Sequence, residues 1–344
     1  NQDGRVSKEE FTGPPRRFSI LDKDGDGIIS KEEIESLPPR GPRAGGSAPR
    51  PMAPPTSAEE EPTKVIDPNA PNFVFILADD MGWTGTSVQL DEQVPESKSD
   101  YSQTPHLERL AKQGLRFTQA YAPAALCTPT RAAILTGKTP AELHVTTPGG
   151  GRSQGSRKLL TPRAPTTKIQ DGETTVAEAL KKKGYATAHL GKWHLGERGD
   201  PGNHGFDVHD GATANHGPGV YEDPNPKDIF GITQRAVAFM TEQTTRKKPF
   251  YLHLSHYAVH SPTLARQSTV TNFDNLPRGR RHTDAAYAAM TFDLDTSIGI
   301  VLDEIEKLGI ADSTYVVFMS DNGAPGGPRR RAENQPLAGG KSQL

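Results

Sequence analysis

The chain has 344 residues, of which 33% are hydrophobic and 6% aromatic, with 34 glycines and 30 prolines. This length fits one large α/β domain with an appendage, and so much glycine and proline predicts long loops or linkers. The net charge of -2 argues against a uniformly basic nucleic-acid-binding protein, and no apolar run approaches the length of a membrane span. The single cysteine excludes an internal disulfide bond and a cysteine-based zinc site.

An internal repeat opens the chain. Residues 1–11 align with residues 24–34, and six of these eleven positions are identical. The second copy has the spacing of an EF-hand calcium loop, with side-chain oxygens at the first, third, fifth and twelfth loop positions and a backbone carbonyl at the seventh. The predicted calcium ligands are Asp22, Asp24, Asp26, Ile28 and Glu33.

The alternative interpretation of this loop is an acidic turn that binds no metal. It accounts for the charge, but not for Gly27 at the sharp turn or for the apolar Ile29, which we expect to pair across the two loops. The first copy lacks its initial two loop positions, so only Asn1, Asp3 and Glu10 remain as candidate ligands there.

The composition then changes to that of a linker. Residues 38–62 hold eight prolines and several glycines, which is typical of an extended segment without a core of its own. We therefore predict a small α-helical EF-hand pair over residues 1–37, a linker over residues 38–70 and an α/β domain over residues 71–344.

From residue 72 onward, strand and helix patterns alternate. Strands are predicted over 73–77, 185–190, 250–254 and 315–319, and helices over 105–113, 174–183 and 283–308. A threonine caps the second of these helices, and Thr283 caps the third. Such alternation predicts an α/β fold with a largely parallel central sheet between layers of helices. Ligands of such sheets bind beyond the carboxyl ends of the strands.

Two pairs of oxygen-bearing residues follow predicted strands that are far apart in sequence. Asp79 and Asp80 follow the first strand, and Asp321 and Asn322 follow the last. Three converging carboxylates would repel one another unless a cation lay among them, and oxygen donors favour Ca²⁺ or Mg²⁺ over zinc or copper. The alternative is that each pair forms an independent turn or helix cap.

The lone cysteine lies just before a predicted helix. Pro129 can begin that helix, which places Cys127 at its N-terminus, where the helix dipole favours negative charge. Arg131, one turn further on, could hold an oxyanion with two hydrogen bonds. The alternative is that Cys127 is a small buried hydrophobic residue.

A third candidate element follows the strand over residues 185–190. If that strand continues to Lys192, then Lys192 and His194 share a face, and a fixed cation stands beside a titratable proton carrier. The alternative is a surface pair at the end of the strand.

These segments resemble the sequence signatures of one family. Residues 127–131, with their extension to Lys138, resemble the first sulfatase signature, and residues 184–194 are similar to the second. The spacing of further residues is also similar to that of type I, formylglycine-dependent sulfatases of the alkaline phosphatase superfamily. These residues are Asp79, Asp80, His260, Asp321 and Asn322. The resemblance covers residues from about 70 to 344.

The resemblance implies a fold, an activity and a cofactor. The fold is alkaline phosphatase-like, and the activity is hydrolysis of sulfate esters of a small molecule or polysaccharide. Sulfatases carry a formylglycine that a formylglycine-generating enzyme makes from cysteine, and Cys127 occupies the matching position. The family's single Ca²⁺ ion would be bound by residue 127 together with Asp79, Asp80, Asp321 and Asn322. A formylglycine hydrate suits this ion better than a thiolate, because it offers two hard oxygens.

The resemblance also implies roles for individual residues. The implied catalytic residues are Cys127, Arg131, Lys192, His194, His260 and Lys341. Arg131 and Lys192 would hold the formylglycine oxygens, and His194 would take the proton in the elimination step. His260 would act as general acid at the leaving-group oxygen, and Lys341 would bind the sulfate.

The chain departs from the family pattern in places. Thr130 stands where serine is more usual, which is a mild change because both carry a hydroxyl. We expect the family's C-terminal antiparallel subdomain to be absent from a chain that stops at Leu344. His256 competes with His260 for the general-acid role, and His204 is interpreted as structural.

Other functions stay open from the sequence. The chain could be a phosphonate or phosphate ester hydrolase of the same superfamily, or a non-catalytic, calcium-dependent binding protein. Basic segments at residues 152–168, 278–281 and 329–331 could contact a sulfated polymer or could simply be solvated loops. We expect no nucleic-acid partner, no membrane span, and a secreted or periplasmic protein, because calcium loops suit a calcium-rich exterior.

Overall fold

The computed structural model describes residues 6–7, 22, 24, 26–30, 67, 69–149, 166–196, 199–215, 222–326 and 331–343. The chain divides into two compact units, Asn1–Glu61 and Pro62–Leu344. Glu33, the candidate ligands of the first loop copy, the helices of the EF-hand pair and most of the linker lie outside the described residues.

Two short strands are described in the smaller unit. Strands β1 (Val6–Ser7) and β2 (Ile28–Ile29) pair in antiparallel fashion, with Val6 opposite Ile29. The Ile29 side chain is buried. The expected pairing of Ile29 across the two loops is therefore present.

A five-stranded parallel sheet forms the centre of the larger unit. Its strands are β3 (Asn72–Ala78), β4 (Ala186–Gly191), β5 (Val208–His209), β6 (Phe250–Ser255) and β7 (Thr314–Ser320). They lie in the order β5-β4-β6-β3-β7, and each neighbouring pair is parallel. The helices described in this unit are α1 (Pro105–Gln113), α2 (Cys127–Thr136), α3 (Val176–Lys181), α4 (Ile229–Thr245), α5 (Gln267–Asp274) and α6 (Ala285–Lys307).

The two faces of the sheet pack against different helices. Successive side chains of a strand point to opposite faces, so Val74 and Ile76 join one apolar cluster while Phe73 and Phe75 lie against the other. The first cluster includes the buried faces of α4 and α6, and the second includes residues of α2 and α3. The predicted α/β fold, with a parallel sheet between helices, is confirmed.

The element boundaries differ from the predictions at several helices. All four predicted strands are present within one residue of their expected bounds. Helix α2 begins at Cys127 rather than at Pro129, so the cysteine is the first helical residue. Helix α3 has the predicted threonine cap, which is Thr175, whereas α6 is capped by Asp284 rather than Thr283.

Helix α6 has the length and hydropathy of a membrane span. Most of its residues are nevertheless buried inside the unit. It packs on α4, α5 and α1. Within the part of the chain that the structure describes, this is the one helix that is long and apolar enough to cross a membrane. Its surroundings are those of a core helix.

Asp295 of α6 caps helix α1 from outside that helix. Its buried carboxylate accepts hydrogen bonds from the backbone N–H groups of His106 (3.0 Å) and Leu107 (2.8 Å), whereas Thr104 at the N-cap provides no side-chain bond. Replacing Asp295 by alanine should lower the free energy of unfolding by about 2 kcal/mol, because a buried donor without a partner costs about 1–3 kcal/mol. Urea denaturation measures this loss.

The matched control for this cap is Asp303, which lies on the same helix. It pairs with Arg109 but is mostly exposed, so its replacement by alanine should leave stability almost unchanged. Similar losses for both variants would show that Asp295 contributes only a general charge effect.

Candidate active site

The two acidic pairs converge at one edge of the sheet. Strands β3 and β7 are neighbours, so Asp79 and Asp80 at the end of one meet Asp321 and Asn322 at the end of the other. The Asp80 backbone N–H donates to Asp321 Oδ1 (3.1 Å), and Asn322 Nδ2 donates to Asp80 Oδ1 (2.7 Å). All four side chains are buried. The predicted ligands from the first and last strands are therefore in mutual contact.

The Cys127 side chain lies against this cluster. Its Sγ atom is 3.4 Å from Asp79 Oδ1 and 3.8 Å from Asp80 Oδ1. Burial, together with the carboxylates of Asp79 and Asp321, raises the pKa of the Cys127 thiol well above its usual value. The thiol is therefore neutral at physiological pH, contrary to the negative charge that a helix N-terminus favours.

Two buried cations face the same carboxylates. Lys192 Nζ lies 2.5 Å from Asp79 Oδ2, and Arg131 Nη2 lies 2.9 Å from Asp321 Oδ2. Burial by itself would raise the pKa of Asp79, but the charges of Lys192, Arg131 and His260 outweigh it and hold that pKa below its usual value. Both cations therefore stand in fixed positions beside Cys127.

Asp321 is the carboxylate that the protein's own charges compensate least. Burial and the neighbouring Asp79 carboxylate raise the pKa of Asp321 to about 7, although Arg131 and Lys192 act in the opposite direction. In addition, Asn322 Oδ1 is buried and has no hydrogen-bond partner among the described residues. A hard divalent cation would relieve both conditions, so this set of oxygen donors fits Ca²⁺.

His260 and Lys341 lie on the more open side of the cluster. Lys341 Nζ is 2.7 Å from Asp80 Oδ1, and His260 Nε2 is 3.7 Å from Asp80 Oδ2. Their side chains are partly exposed, whereas the carboxylates are fully buried. Burial is the main cause that lowers the pKa of His260. This side of the cluster is the one that a substrate could reach.

His194 lies next to the start of α2. Its backbone carbonyl accepts a hydrogen bond from Thr128 Oγ1 (3.0 Å), which ties it to the residue after Cys127. Burial, and then the charges of Lys192 and Arg131, lower the pKa of His194 to about 3. The imidazole is therefore neutral at physiological pH.

The remaining sequence candidates lie elsewhere. His256 is fully buried near the charges of Asp228 and Arg235, and it does not share the contact with Asp80 that His260 makes. His204 stacks on Trp193 with ring centroids 5.6 Å apart, in keeping with a structural role.

In the described part of the basic segments, two arginine side chains already have partners within the protein. Arg278 pairs with Asp274, and the guanidinium of Arg281 donates to the backbone carbonyls of Glu96 and Lys98. Residues 152–165 and 329–330 lie outside the described residues.

Three residues that were not predicted from the sequence contact the candidate catalytic residues. Ser255 accepts a hydrogen bond from Arg131 and donates one to the Lys192 carbonyl, while Thr128 and Thr213 bond to the backbone near His194. Ser255 had one usable signal, because it ends a strand at the edge where ligands collect. The two threonines had none, because they act through a turn whose shape the sequence does not reveal.

The EF-hand loop forms a separate acidic cluster. Carboxylate oxygens of Asp22, Asp24 and Asp26 lie within 4.8 Å of one another. The Gly27 N–H donates to Asp22 Oδ2 (3.1 Å), and Gly27 has a φ of +85°, which favours glycine. The Ile28 N–H donates to Asp26 Oδ1 (2.7 Å). The described part of the loop is therefore folded as a cation-binding turn would require.

The sheet order and the paired ligands at neighbouring strand ends define an alkaline phosphatase-like α/β fold. The chain belongs to the sulfatase family, whose model, described as Sulfatase, matches residues 71–343. A second family model, described as EF hand, matches residues 16–38. The resemblance seen in the sequence is thereby confirmed.

Among the relatives is mouse N-acetylgalactosamine-6-sulfatase, which is 33% identical over 308 residues, covering 80% of this chain and 55% of the relative. Human arylsulfatase G is 29% identical over 299 residues, covering 74% of this chain and 51% of the relative. The chain therefore spans about half the length of these relatives. The crystal structure of Ps i-CgsB is 25% identical, with a TM-score of 0.63, and the match covers 79% of this chain and 62% of that one.

Proposed function

We propose that the protein hydrolyses sulfate esters at the site around Cys127. The observation that carries the proposal is the contact of this side chain with Asp79, at the point where the two acidic pairs meet. Arg131 and Lys192 are buried against the same carboxylates, so the site combines a modifiable nucleophile position with fixed positive charge. Membership of the sulfatase family supports this function.

Two groups would complete the site. Formylglycine made from Cys127 would supply a hydrated aldehyde oxygen as nucleophile, and Ca²⁺ would supply a Lewis acid for the sulfuryl oxygens. The side chains that would hold the ion are Asp79, Asp80, Asp321 and Asn322.

The fixed cations stabilise negative charge near residue 127. Lys192 and Arg131 are held by short contacts to Asp79 and Asp321, so neither has to move as charge develops. Preorganised charges of this kind, in a buried site, are among the largest contributions to catalysis. Their role is to orient the oxygens of the matured side chain and to offset its charge.

His194 and His260 would have different roles. His194 is neutral in the resting site, and negative charge that develops on residue 127 would raise its pKa, so that it can take the proton in the elimination step. His260 lies with Lys341 on the open side, where Lys341 binds the sulfate group. The negative charge of a bound sulfate ester favours the protonated form of His260, which then donates its proton to the leaving oxygen.

We infer a sulfated carbohydrate as the substrate class. The mouse relative is named for a sulfated amino sugar, and a second structure of Ps i-CgsB, also 25% identical, is a complex with k-i-k-neocarrahexaose. Maturation would require a formylglycine-generating enzyme as partner. The EF-hand loop would bind a second Ca²⁺ ion, and both calcium sites suit an exported protein.

The test compares turnover of an aryl sulfate, an aryl phosphate and an aryl phosphonate by one preparation, made together with a formylglycine-generating enzyme. We expect the sulfate to be the preferred substrate and a sulfated saccharide to release sulfate. Preference for the phosphonate or phosphate would favour the alternative hydrolase activity. Saccharide binding without turnover of any ester would indicate a non-catalytic binding protein.

A further inference from the structure

The turn over residues 191–194 carries two of the proposed catalytic residues in an unusual backbone conformation. Gly191 has a φ of +100°, and a Cβ there would collide with the Ser255 carbonyl oxygen. His194 has a φ of +56°, a region that residues other than glycine seldom adopt. Left-handed conformations of this kind persist only where the surroundings hold them.

Thr213 bonds to both ends of this turn. Its hydroxyl donates to the Gly191 carbonyl (2.6 Å) and accepts from the Trp193 N–H (2.8 Å). Its backbone carbonyl accepts from the His194 N–H (2.8 Å). Thr213 is only 7% exposed, so water does not readily replace these bonds. One residue thus bonds to three of the four residues of the turn.

The other backbone groups of the turn have separate partners. The Lys192 N–H donates to the Ser255 carbonyl (2.7 Å), and the Lys192 carbonyl accepts from Ser255 Oγ (2.7 Å). Thr128 Oγ1 donates to the His194 carbonyl. Without the Thr213 hydroxyl, the Gly191 carbonyl and the Trp193 N–H would both lose their hydrogen bonds.

We propose that Thr213 is a positioning residue, whose hydroxyl holds the turn so that Lys192 faces Asp79 and His194 keeps its place beside the start of the helix that carries Cys127. This inference rests on the proposed function for its catalytic consequence. Loss of the hydroxyl frees the strained His194 backbone to relax, which moves the imidazole and shifts the Lys192 stem. Misplacement by about 1 Å can lower a rate by about 100-fold.

The experiment uses Thr213→Val, which removes the hydroxyl while keeping the shape, and Thr213→Ser, which keeps the hydroxyl. The matched control is Thr187→Val. Thr187 is a buried threonine on β4 whose hydroxyl bonds to the Gly205 carbonyl (2.6 Å) and Asp207 (3.0 Å), away from the turn. Two readouts are taken: kcat on an aryl sulfate, and hydrogen–deuterium exchange of the peptide that contains Trp193 and His194.

We expect Thr213→Val to lower kcat by about 10- to 100-fold with a small change in KM, and to speed exchange in that peptide. Thr213→Ser should restore both, and Thr187→Val should alter neither even if it lowers Tm equally. Unchanged exchange in Thr213→Val, or an equal loss of kcat in Thr187→Val, would overturn the proposal. A wild-type protein that hydrolyses no sulfate ester refutes the proposed function, while the exchange readout still decides whether Thr213 holds the turn.

Discussion

Replacing Cys127 by alanine is expected to lower kcat on an aryl sulfate by at least about 10⁵-fold. The loss of a covalent nucleophile lowers kcat by about this factor or more. The reason is the position of residue 127, which contacts Asp79 and Asp80. Within the described residues, no other cysteine could replace it as the nucleophile position. The variant should fold, because the change removes a single sulfur atom from a small buried side chain. Steady-state kinetics and a thermal melt measure the two effects.

The control for this variant is Thr136→Ala, in the last turn of the same helix. Its hydroxyl donates to the Ala132 carbonyl (2.8 Å) and accepts from the Lys138 N–H (3.3 Å), away from the site, so activity should stay close to that of the wild type and Tm should fall only slightly. Substantial turnover by the Cys127→Ala variant would contradict the assignment of residue 127 as the nucleophile position.

Replacing Asp321 by asparagine should remove most of the stabilisation that Ca²⁺ gives the protein. Its folded-state pKa is raised to about 7, so ionising Asp321 near neutral pH costs folding free energy when no cation is bound. In EDTA the variant loses this cost but also the ion pair with Arg131, so its free energy of unfolding should stay close to that of the wild type. With Ca²⁺ at 100 times its Kd, the wild type gains about 2.7 kcal/mol and the variant gains much less.

The same variant should lose most of its activity. A Lewis acid contributes several kcal/mol of transition-state stabilisation, and losing about 4 kcal/mol corresponds to a roughly 1000-fold fall in kcat/KM. Aryl sulfate turnover at saturating Ca²⁺ measures this fall.

The matched control for Asp321 lies in the EF-hand loop. Replacing Asp24 by asparagine removes a carboxylate from that separate cluster, so it should weaken one class of calcium binding and leave kcat unchanged. Calcium titration by calorimetry distinguishes the two classes. Loss of activity in the Asp24 variant with full activity in the Asp321 variant would reverse the assignment of the sites.

The sheet could be predicted because its strands have strong local signals. The run from Phe73 to Leu77 is apolar on both faces, as a parallel strand covered by helices requires, and its bounds differ from the structure by one residue at each end. Helix α4 was not predicted, although Asp228 before it is a residue type that often caps helices. In the structure Asp228 adopts a left-handed φ of +53° and provides no side-chain cap.

Part of the candidate site could also be predicted from the sequence. Parallel strands end at a common edge, so Asp79 and Asp321 could be expected to meet although they are far apart in sequence. The strand was expected to carry Lys192 and His194 on one face, but it ends at Gly191, and a left-handed turn places them instead. Tertiary contacts from Thr213 and Ser255 shape that turn, and no local pattern in the sequence encodes them.

The most direct test of the account is a crystal structure of the matured protein grown with Ca²⁺. It should show one cation bound by Asp79, Asp80, Asp321 and Asn322, in contact with an oxygen of a residue 127 that has lost its sulfur. Density for an intact cysteine thiol in a protein that hydrolyses sulfate esters, or a cation bound away from residue 127, would contradict the account.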